Sequence, residues 1–127
     1  MLSSKSVVGV LAVKDMEVAS KFYEGTLGLA KAGNDTPGGV MYKSGDSRLF
    51  IYPTQYAGTN QATAAAWGVG DDLSKIVEDL KAKGVSFEHY SDLPGVTMDG
   101  DIHIMGEIKA AWFKDPDGNI LNLVNQM

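Results

Sequence analysis

The sequence predicts an α+β fold made of two copies of a βαβββ module. Three observations predict it: an internal repeat, one amphipathic helix pattern in each half, and pairs of β-rich runs after each helix. The repeat has an offset of 56 residues, which relates Val13 and Gly28 to Val69 and Gly84. Each half therefore has the order strand, acidic N-cap, helix, terminal glycine and second strand.

One apolar stripe in each half indicates a helix that packs on a sheet. The stripe of the first half is Met16, Ala19, Tyr23 and Leu27. The stripe of the second half is Leu73, Ile76, Val77 and Leu80. Asp15 is predicted to cap the first helix and Asp71 or Asp72 the second, because aspartate accepts hydrogen bonds from the free N–H groups of a first turn. Gly28 and Gly84 are predicted to end the two helices.

Two β-rich runs follow in each half and indicate strand pairs. The runs are Val40 to Lys43 and Arg48 to Pro53 in the first half, and Ala110 to Lys114 and Asn119 to Asn125 in the second. Ser44-Gly45-Asp46 and Asp115-Pro116-Asp117-Gly118 are typical hairpin turns, since glycine adopts the left-handed backbone and proline presets φ for a type I turn.

Length and apolar content suit one domain. The chain has 127 residues, of which 44% are hydrophobic, and this is enough to bury a core. We expect a single domain over residues 1–127, with module one at about 1–54, a linker at about 55–63 and module two at about 64–127.

Charge and residue types exclude several kinds of partner. The formal net charge is −5 and the 11 basic residues form no run, which argues against nucleic acid. The chain contains no cysteine, as suits a reducing cytosol. The apolar stretch Val7 to Val13 is too short and too β-branched for a signal peptide or a membrane span. We therefore expect a cytoplasmic protein without a nucleic-acid or membrane partner.

Two sequence elements resemble those of a known family. They are Ala12-Val13-Lys14-Asp15-Met16 with Phe22-Tyr23 and Leu27-Gly28-Leu29, and Trp112-Phe113-Lys114-Asp115-Pro116-Asp117-Gly118-Asn119. Together they look like the two ends of a glyoxalase, bleomycin-resistance and extradiol dioxygenase (vicinal oxygen chelate) domain, across almost the whole chain. The resemblance implies that the modules form a curved mixed-sheet half-barrel with a central cavity and the helices packed outside. It also implies a homodimer.

The same resemblance implies positions for a divalent metal, which the family's enzymes hold with four side chains. It places two positions at Val8 and Ala64, which the repeat offset relates independently. The other two fall at Asn122 and at either Phe50 or Tyr52. These side chains offer one neutral amide oxygen, whereas a divalent ion needs several N or O ligands. We therefore expect no metal and no other cofactor.

Alternation along the strands predicts which side chains line the cavity. The predicted ligand-binding residues are Val8, Val10, Arg48, Phe50, Tyr52, Ala64, Ala66, Trp112 and Asn122. The residues predicted to pack under the helices are Leu11, Val13, Trp67, Val69, Leu121 and Leu123. An apolar wall with a few polar points is typical of a ligand pocket. The alternative is a solid core filled by larger neighbours.

The second module is longer by about sixteen residues, which lie within Tyr90 to Lys109. Long irregular segments in compact domains are often functional. This segment and the strand before it are acidic, with Glu88, Asp92, Asp99, Asp101 and Glu107 against Lys109, and they hold both histidines, His89 and His103. An acidic border would attract cationic ligands.

Three interpretations of His103 and Glu107 stay open. The pair is solvated or locally hydrogen-bonded, or it lines the pocket, or it is catalytic. In the catalytic version His103 is a general base oriented by Glu107, or both form a displaced metal site with His89. Several aromatic side chains are further candidates to stack on a flat ligand, although packing explains each one alone: Tyr42, Tyr52, Tyr56, Tyr90 and Trp112.

Three functions follow from these features. The leading hypothesis is a metal-independent protein that binds and sequesters a small molecule of cationic or aromatic character, like bleomycin-resistance members. The second is a glyoxalase-like or dioxygenase-like lyase or isomerase with a non-standard site at His103 and Glu107. The third is a non-catalytic subunit with a filled cavity.

Overall fold

The computed structural model describes residues 1–33 and 38–126. The chain divides into two compact units, Met1–Asn60 and Gln61–Met127, called unit 1 and unit 2 below. Their boundary falls within the predicted linker at about 55–63. No helix in the described ranges has the length and apolar character needed to cross a membrane.

Unit 1 is a βαβββ module. Its elements are β1 (Gly9–Val13), α1 (Met16–Ser20) with a π-helical turn (Lys21–Thr26), β2 (Ala30–Lys31), β3 (Val40–Ser44) and β4 (Ser47–Pro53). The sheet order is β1-β4-β3-β2. β1 runs parallel to β4, whereas β3 is antiparallel to both β2 and β4. The predicted strand pair and its turn at Gly45 are therefore confirmed, with φ of 55° at Gly45.

The first helix begins and ends where the sequence predicts, but its second half is not α-helical. Leu27 N–H donates to the Phe22 carbonyl oxygen at 2.9 Å, which is the i to i+5 bond of a π-helical turn. The wider turn keeps Tyr23 buried and stacked on Tyr42, with 6.3 Å between ring centroids. Tyr42 Oη in turn donates to Glu24 Oε2 at 2.7 Å. A stripe of apolar residues in the sequence does not distinguish a π-helical turn from a turn of α-helix.

Asp15 is the N-cap of α1, as predicted. Its Oδ1 accepts hydrogen bonds from the backbone N–H groups of Glu17 at 2.8 Å and Val18 at 3.3 Å. We expect Asp15→Ala to lower the free energy of unfolding by about 1 kcal/mol, the usual value of such a cap, in urea unfolding followed by circular dichroism. Asp72→Ala is the matched control, because Asp72 makes no side-chain cap bond. Equal losses in both variants would contradict the assignment.

Unit 2 is a second βαβββ module with a hairpin inserted. Its elements are β5 (Thr63–Gly68), a 3₁₀ turn (Gly70–Asp72), α2 (Leu73–Ala82), β6 (Phe87–Glu88), β7 (Thr97–Asp99), β8 (Ile102–Met105), β9 (Ile108–Lys114) and β10 (Ile120–Val124). The sheet order is β5-β10-β9-β8-β7, and β6 also pairs with β9. β5 is parallel to β10 and the other pairs are antiparallel. The predicted α+β class with two mixed sheets is confirmed.

One expectation for unit 2 was wrong and a second holds only in part. The segment from Tyr90 to Lys109 is not an irregular loop, because most of it forms the β7–β8 hairpin and the start of β9. Gly100 and Gly106 make its two tight turns, with φ of 61° and 63°. Asp72 occupies the N-cap position of α2, as one of the two predicted alternatives, but its side chain makes no cap hydrogen bond, and a 3₁₀ turn (Gly70–Asp72) precedes the helix.

Alternation of buried residues places each core on one face of its sheet. In unit 1 the buried residues of the parallel pair are Leu11, Val13, Leu49 and Ile51. In unit 2 the buried strand residues on the face that packs under the helix are Ala111, Phe113, Leu121 and Leu123, and α2 contributes Leu73, Val77 and Leu80. The predicted packing positions hold except that Trp67 and Val69 are only half-buried.

Candidate functional site

The face of the unit 1 sheet opposite its core carries stacked aromatic rings. Val10 pairs with Phe50 across β1 and β4, and Tyr52 lies two residues further along β4 on the same face. The Phe50 and Tyr52 rings are stacked and almost parallel, with 10° between their planes and 6.4 Å between their centroids. Val10 is 55% exposed and both rings are half-buried. Val10, Phe50 and Tyr52 form what we call the unit 1 aromatic face.

Two other predicted ligand-binding residues of unit 1 flank this face. Val8 immediately precedes β1 and is half-buried. Arg48 stands near the start of β4, is exposed, and pairs with Lys43 of β3. Arg48 therefore adds a cation at one end of an otherwise apolar surface.

Three strands of unit 2 bring predicted residues into one row. Asn122 of β10 pairs with Ala66 of β5 on one side and with Trp112 of β9 on the other. Trp112 is half-buried, and its Nε1–H donates to Thr63 Oγ1 at 3.2 Å. Ala66 is exposed, so the row has open space at its β5 end. Ala66, Asn122 and Trp112 are called the unit 2 row.

The strand registers show that the two faces occupy equivalent places in their modules. Val10 pairs with Phe50 between parallel strands, and Ala66 pairs with Asn122 between the corresponding strands of unit 2. Val10 and Ala66 are related by the 56-residue offset. Phe50, rather than Tyr52, is therefore the counterpart of Asn122. Ala64, the equivalent of Val8, lies between Thr63 and Ala65 at the register shift of β5 and β10.

An aromatic cluster extends the unit 2 row toward β8. His103 pairs with Ala110 and thus shares the face of Trp112. The His103 ring stands edge-on to Trp112 at 4.8 Å and lies 5.8 Å from Tyr90, which contacts Trp112 at 5.5 Å. These three residues form the unit 2 aromatic cluster. Sequence reasoning named each of them but did not join them, although alternation from Ile102 to Ile104 places His103 opposite the helix side.

His103 is fully buried and both its ring nitrogens have backbone partners. Tyr90 N–H donates to Nε2 at 2.8 Å, and Nδ1 lies 3.3 Å from the Ala110 carbonyl oxygen. Because an amide N–H can only donate, Nε2 carries the lone pair and Nδ1 carries the proton. Burial lowers the pKa of His103, so the neutral ring is the favoured form. A ring held in this way by two backbone groups is not oriented by Glu107.

A chain of charges joins α2 to the β7–β8 hairpin. Asp101 accepts from Lys81 Nζ at 2.9 Å and lies 2.7 Å from His89 Nε2. The hydrogen bond from His89, followed by that from Lys81, holds the pKa of Asp101 below its usual range. A small cleft of about 230 Å³ lies beside this chain and is lined in part by Glu78 and Asp99. These contacts connect the turn between β7 and β8 to α2 through Asp101 and Lys81.

The three catalytic candidates do not form one site. His103 is buried on one face of the sheet, His89 is exposed and paired with Asp101, and Glu107 is exposed in the turn between β8 and β9. The backbone oxygen of Glu107 accepts from Asn125 Nδ2 at 3.1 Å, which is a structural contact. Throughout residues 1–33 and 38–126 no group of three or more His, Asp or Glu side chains could hold a metal ion. The described residues therefore do not bring His89, His103 and Glu107 together as a metal site.

A sequence model of the glyoxalase/bleomycin resistance protein/dioxygenase superfamily matches residues 6–123. The chain belongs to this superfamily. No curated protein matches the sequence. The superfamily assignment confirms the resemblance in the terminal motifs.

Several solved structures have the same fold. The fosfomycin resistance protein FosX from Listeria monocytogenes, complexed with Mn(II) and sulfate, has a TM-score of 0.73 at 16% identity, over 100% of this chain and 93% of that chain. Lactoylglutathione lyase from Agrobacterium tumefaciens has a TM-score of 0.68 at 18% identity, over 95% and 92%. The oxidase ChaP-H2 has a TM-score of 0.71 at 20% identity, over 98% and 95%. At these identities the likeness concerns the fold alone.

The side chains at the four positions that the resemblance predicts for metal ligands do not suit a metal ion. The side chains of Val8, Phe50 and Ala64 have no N or O atom that could bind a metal ion, and Asn122 is only 9% exposed. The Asn122 amide Nδ2 donates to the carbonyl oxygens of Ala111 at 3.1 Å and of Leu123 at 3.3 Å. One neutral oxygen on a side chain fixed by backbone bonds is far from the several N or O ligands that divalent ions take. The mismatch lies in the donor set itself.

Proposed function

We propose that this superfamily member binds a flat aromatic ligand that carries positive charge, without a metal ion. One observation carries the proposal: the four positions predicted for metal ligands hold Val8, Phe50, Ala64 and Asn122. Aromatic and apolar side chains with a few fixed polar groups are what small-molecule sites use. The central cavity that the family fold implies stays a prediction.

The aromatic character of the ligand is supported by rings on both faces. Phe50 and Tyr52 are stacked with each other and half-buried, so an incoming ring can extend the stack. Trp112 is also half-buried, and its N–H is held by Thr63, which fixes the plane of the indole. A fixed ring loses little conformational entropy when a ligand stacks on it.

The positive charge of the ligand is supported by the Glu88 carboxylate near Trp112. Glu88 of β6 pairs with Trp112, and its Oε1 lies 3.2 Å from Lys114 Nζ. The Glu88 side chain is 31% exposed in this ion pair with Lys114, so it is accessible to a ligand. A cation over an indole face gains from the ring quadrupole as well as from a nearby carboxylate. The net charge of −5 favours the approach of cations over anions.

Thermal shift measurements with a ligand panel test the proposal. The panel holds aromatic cations, neutral aromatics, aliphatic cations and aromatic anions, each with and without EDTA. We expect the largest rise in Tm with aromatic cations and no effect of EDTA, since ligand binding to the folded state alone raises its stability. Loss of the shift in EDTA, or preference for anions, would overturn the proposal. So would the absence of any shift across the panel.

Variants of the two faces test where the ligand binds. We expect Phe50→Ala and Trp112→Ala to weaken binding of an aromatic cation about tenfold each, the loss of roughly 1.4 kcal/mol of ring contact, measured by isothermal titration calorimetry. The matched control is Tyr56→Ala, because Tyr56 is 71% exposed and lies on neither face. Unchanged affinity in both face variants would contradict these sites.

We further propose that the protein acts in the cytoplasm as a homodimer of one-domain chains. The absence of cysteine supports a reducing compartment, and the dimer rests on the family resemblance. Light scattering after size-exclusion chromatography measures the mass in solution. A mass near one chain at micromolar concentration would contradict the dimer.

A further inference from the structure

A seam of two hydrogen bonds holds the segment after β6 against the β7–β8 hairpin. The first joins the His89 side chain to Asp101 at 2.7 Å, and the second joins the backbone N–H of Tyr90 to His103 Nε2 at 2.8 Å. The two histidines thus anchor neighbouring residues in different ways. His89 uses its own side chain, whereas Tyr90 depends on a ring from another strand.

Only a neutral His103 can hold Tyr90. A backbone N–H group can only donate, so the bond from Tyr90 N–H requires a lone pair on His103 Nε2. A proton on Nε2 would place two donors opposite each other inside a buried site, where an unsatisfied polar group is costly. The orientation of Tyr90 toward Trp112 therefore follows the protonation state of His103.

We infer that His103 is a positioning residue that, in its neutral form, holds Tyr90 beside Trp112 and so makes ligand binding at the unit 2 aromatic cluster sensitive to pH. This inference rests on the proposed function for its effect on the ligand. The effect on Tyr90 itself does not depend on any ligand. His103 touches no reacting atom in this role and acts only through Tyr90.

The groups around His103 favour this behaviour. Its ring lies between Tyr90 and Trp112, with Ala110 on the paired strand, and the charged groups that act on it are His89 and Asp101. Asp101 favours the protonated form of His103, but its charge is also shared with Lys81, to which it is paired. Burial lowers the pKa of His103, which keeps the ring neutral at physiological pH.

Acidification should therefore release one residue and keep its neighbour. The His89 bond to Asp101 stays in place when His103 gains a proton, because the Asp101 carboxylate only accepts and needs no lone pair on a histidine ring. Protonated His103 rejects the Tyr90 amide. The segment stays tethered at His89 while Tyr90 leaves Trp112, so the aromatic cluster opens without unfolding of the hairpin.

The experiment is a two-dimensional ¹⁵N–¹H titration of the wild-type protein from pH 8 to pH 5, without ligand. We expect the Tyr90 amide signal to move toward its unstructured position with the same midpoint as the His103 ring signals. A Tyr90 amide that stays in place while the His103 ring titrates would overturn the inference. This measurement needs no variant, so a folding defect cannot obscure it.

The second arm measures affinity for the tightest aromatic cation of the panel across the same pH range. We expect the wild-type protein to bind about tenfold more weakly below the midpoint of the His103 titration, because one ring contact with the ligand is lost. His103→Gln offers an amide acceptor that does not titrate there, so its affinity should change less than about twofold. His89→Gln is the matched control and should keep the tenfold acid loss, with any change confined to its midpoint, because His89 acts on the pKa of His103.

The outcomes separate the two proposals. An acid loss that persists in His103→Gln would overturn the positioning role, even with a good ligand in hand. A Tyr90 signal that follows His103, with no panel compound bound at pH 8, would support the positioning role and overturn the proposed function.

Discussion

Replacement of Asp115 by alanine is expected to lower the free energy of unfolding by about 3 kcal/mol, because three hydrogen bonds converge on this one carboxylate. Oδ1 accepts from the backbone N–H groups of Asp117 and Asn119, both at 2.9 Å, and Oδ2 accepts from Asn119 Nδ2 at 2.8 Å. Asp115 and Asn119 are 4% and 5% exposed, so water cannot replace the lost acceptor without opening the turn.

Urea unfolding monitored by tryptophan fluorescence measures this loss. The matched control is Asp46→Ala, which changes an exposed aspartate in the two-residue turn of unit 1. We expect the control to lie within about 0.5 kcal/mol of wild type, as for most surface substitutions. Similar losses in the two variants would show that the buried network does not stabilise the β9–β10 hairpin.

The Asp115 network also matters for the candidate site. The turn sets the register of β9 and β10, and that register places Trp112 opposite Asn122. A slip of β9 by one residue would move Trp112 to the helix side of the sheet, away from Asn122. The Asp-Pro-Asp-Gly-Asn element that marks the family in the sequence thus has a structural role in aligning the unit 2 row.

The helices and the hairpin turns could be predicted from the sequence, because each depends on residues that are close together in the chain. The repeat located both helices, and the turn residues at Gly45 and Gly118 located two hairpins, since glycine supplies the positive φ that those turns require. The offset also relates Val8 to Ala64, and the strand pairing gives Phe50 and Asn122 equivalent places. The sequence left Phe50 and Tyr52 undecided because alternation fixes a face but not a register.

The features that the sequence missed depend on contacts between distant residues. The sequence predicts an irregular segment where the structure has the hairpin from Thr97 to Met105, because its strands have only three and four residues and are held in the sheet by the pairing of β8 with β9. The burial of His103 follows from Tyr90 and Trp112, which lie 13 residues before it and nine after it. The partner of a histidine is set by the fold, so a spacing such as that of His103 and Glu107 carried no information.

Replacement of His103 by leucine is expected to destabilise the protein by about 3 kcal/mol at pH 8. Leucine fills most of the space but offers neither an acceptor for Tyr90 N–H nor a donor for the Ala110 carbonyl oxygen, and each buried group left unsatisfied costs roughly 1 to 3 kcal/mol. Equilibrium unfolding in urea measures the change. His89→Leu, at an exposed position, is the matched control and should cost less than about 1 kcal/mol.

The same residue gives the wild-type protein a pH dependence of stability with a definite sign. Burial lowers the pKa of His103 from its model-compound value of 6.5 in the folded chain, so the unfolded chain binds a proton first as pH falls. Stability from the neutral ring is therefore fully present above about pH 6.5 and is lost as pH falls below it toward the folded-state pKa. Measurement between pH 8 and pH 5.5 isolates this effect, because the pKa of Asp101 is lowered from 3.8 and its contribution is lost only at more acidic pH. The leucine variant, already destabilised, should have a flatter profile over that range, since no proton is taken up at position 103. An equally steep loss in wild type and variant would mean that another group causes it, and the neutral His103 bond to Tyr90 would then have no part in the acid response.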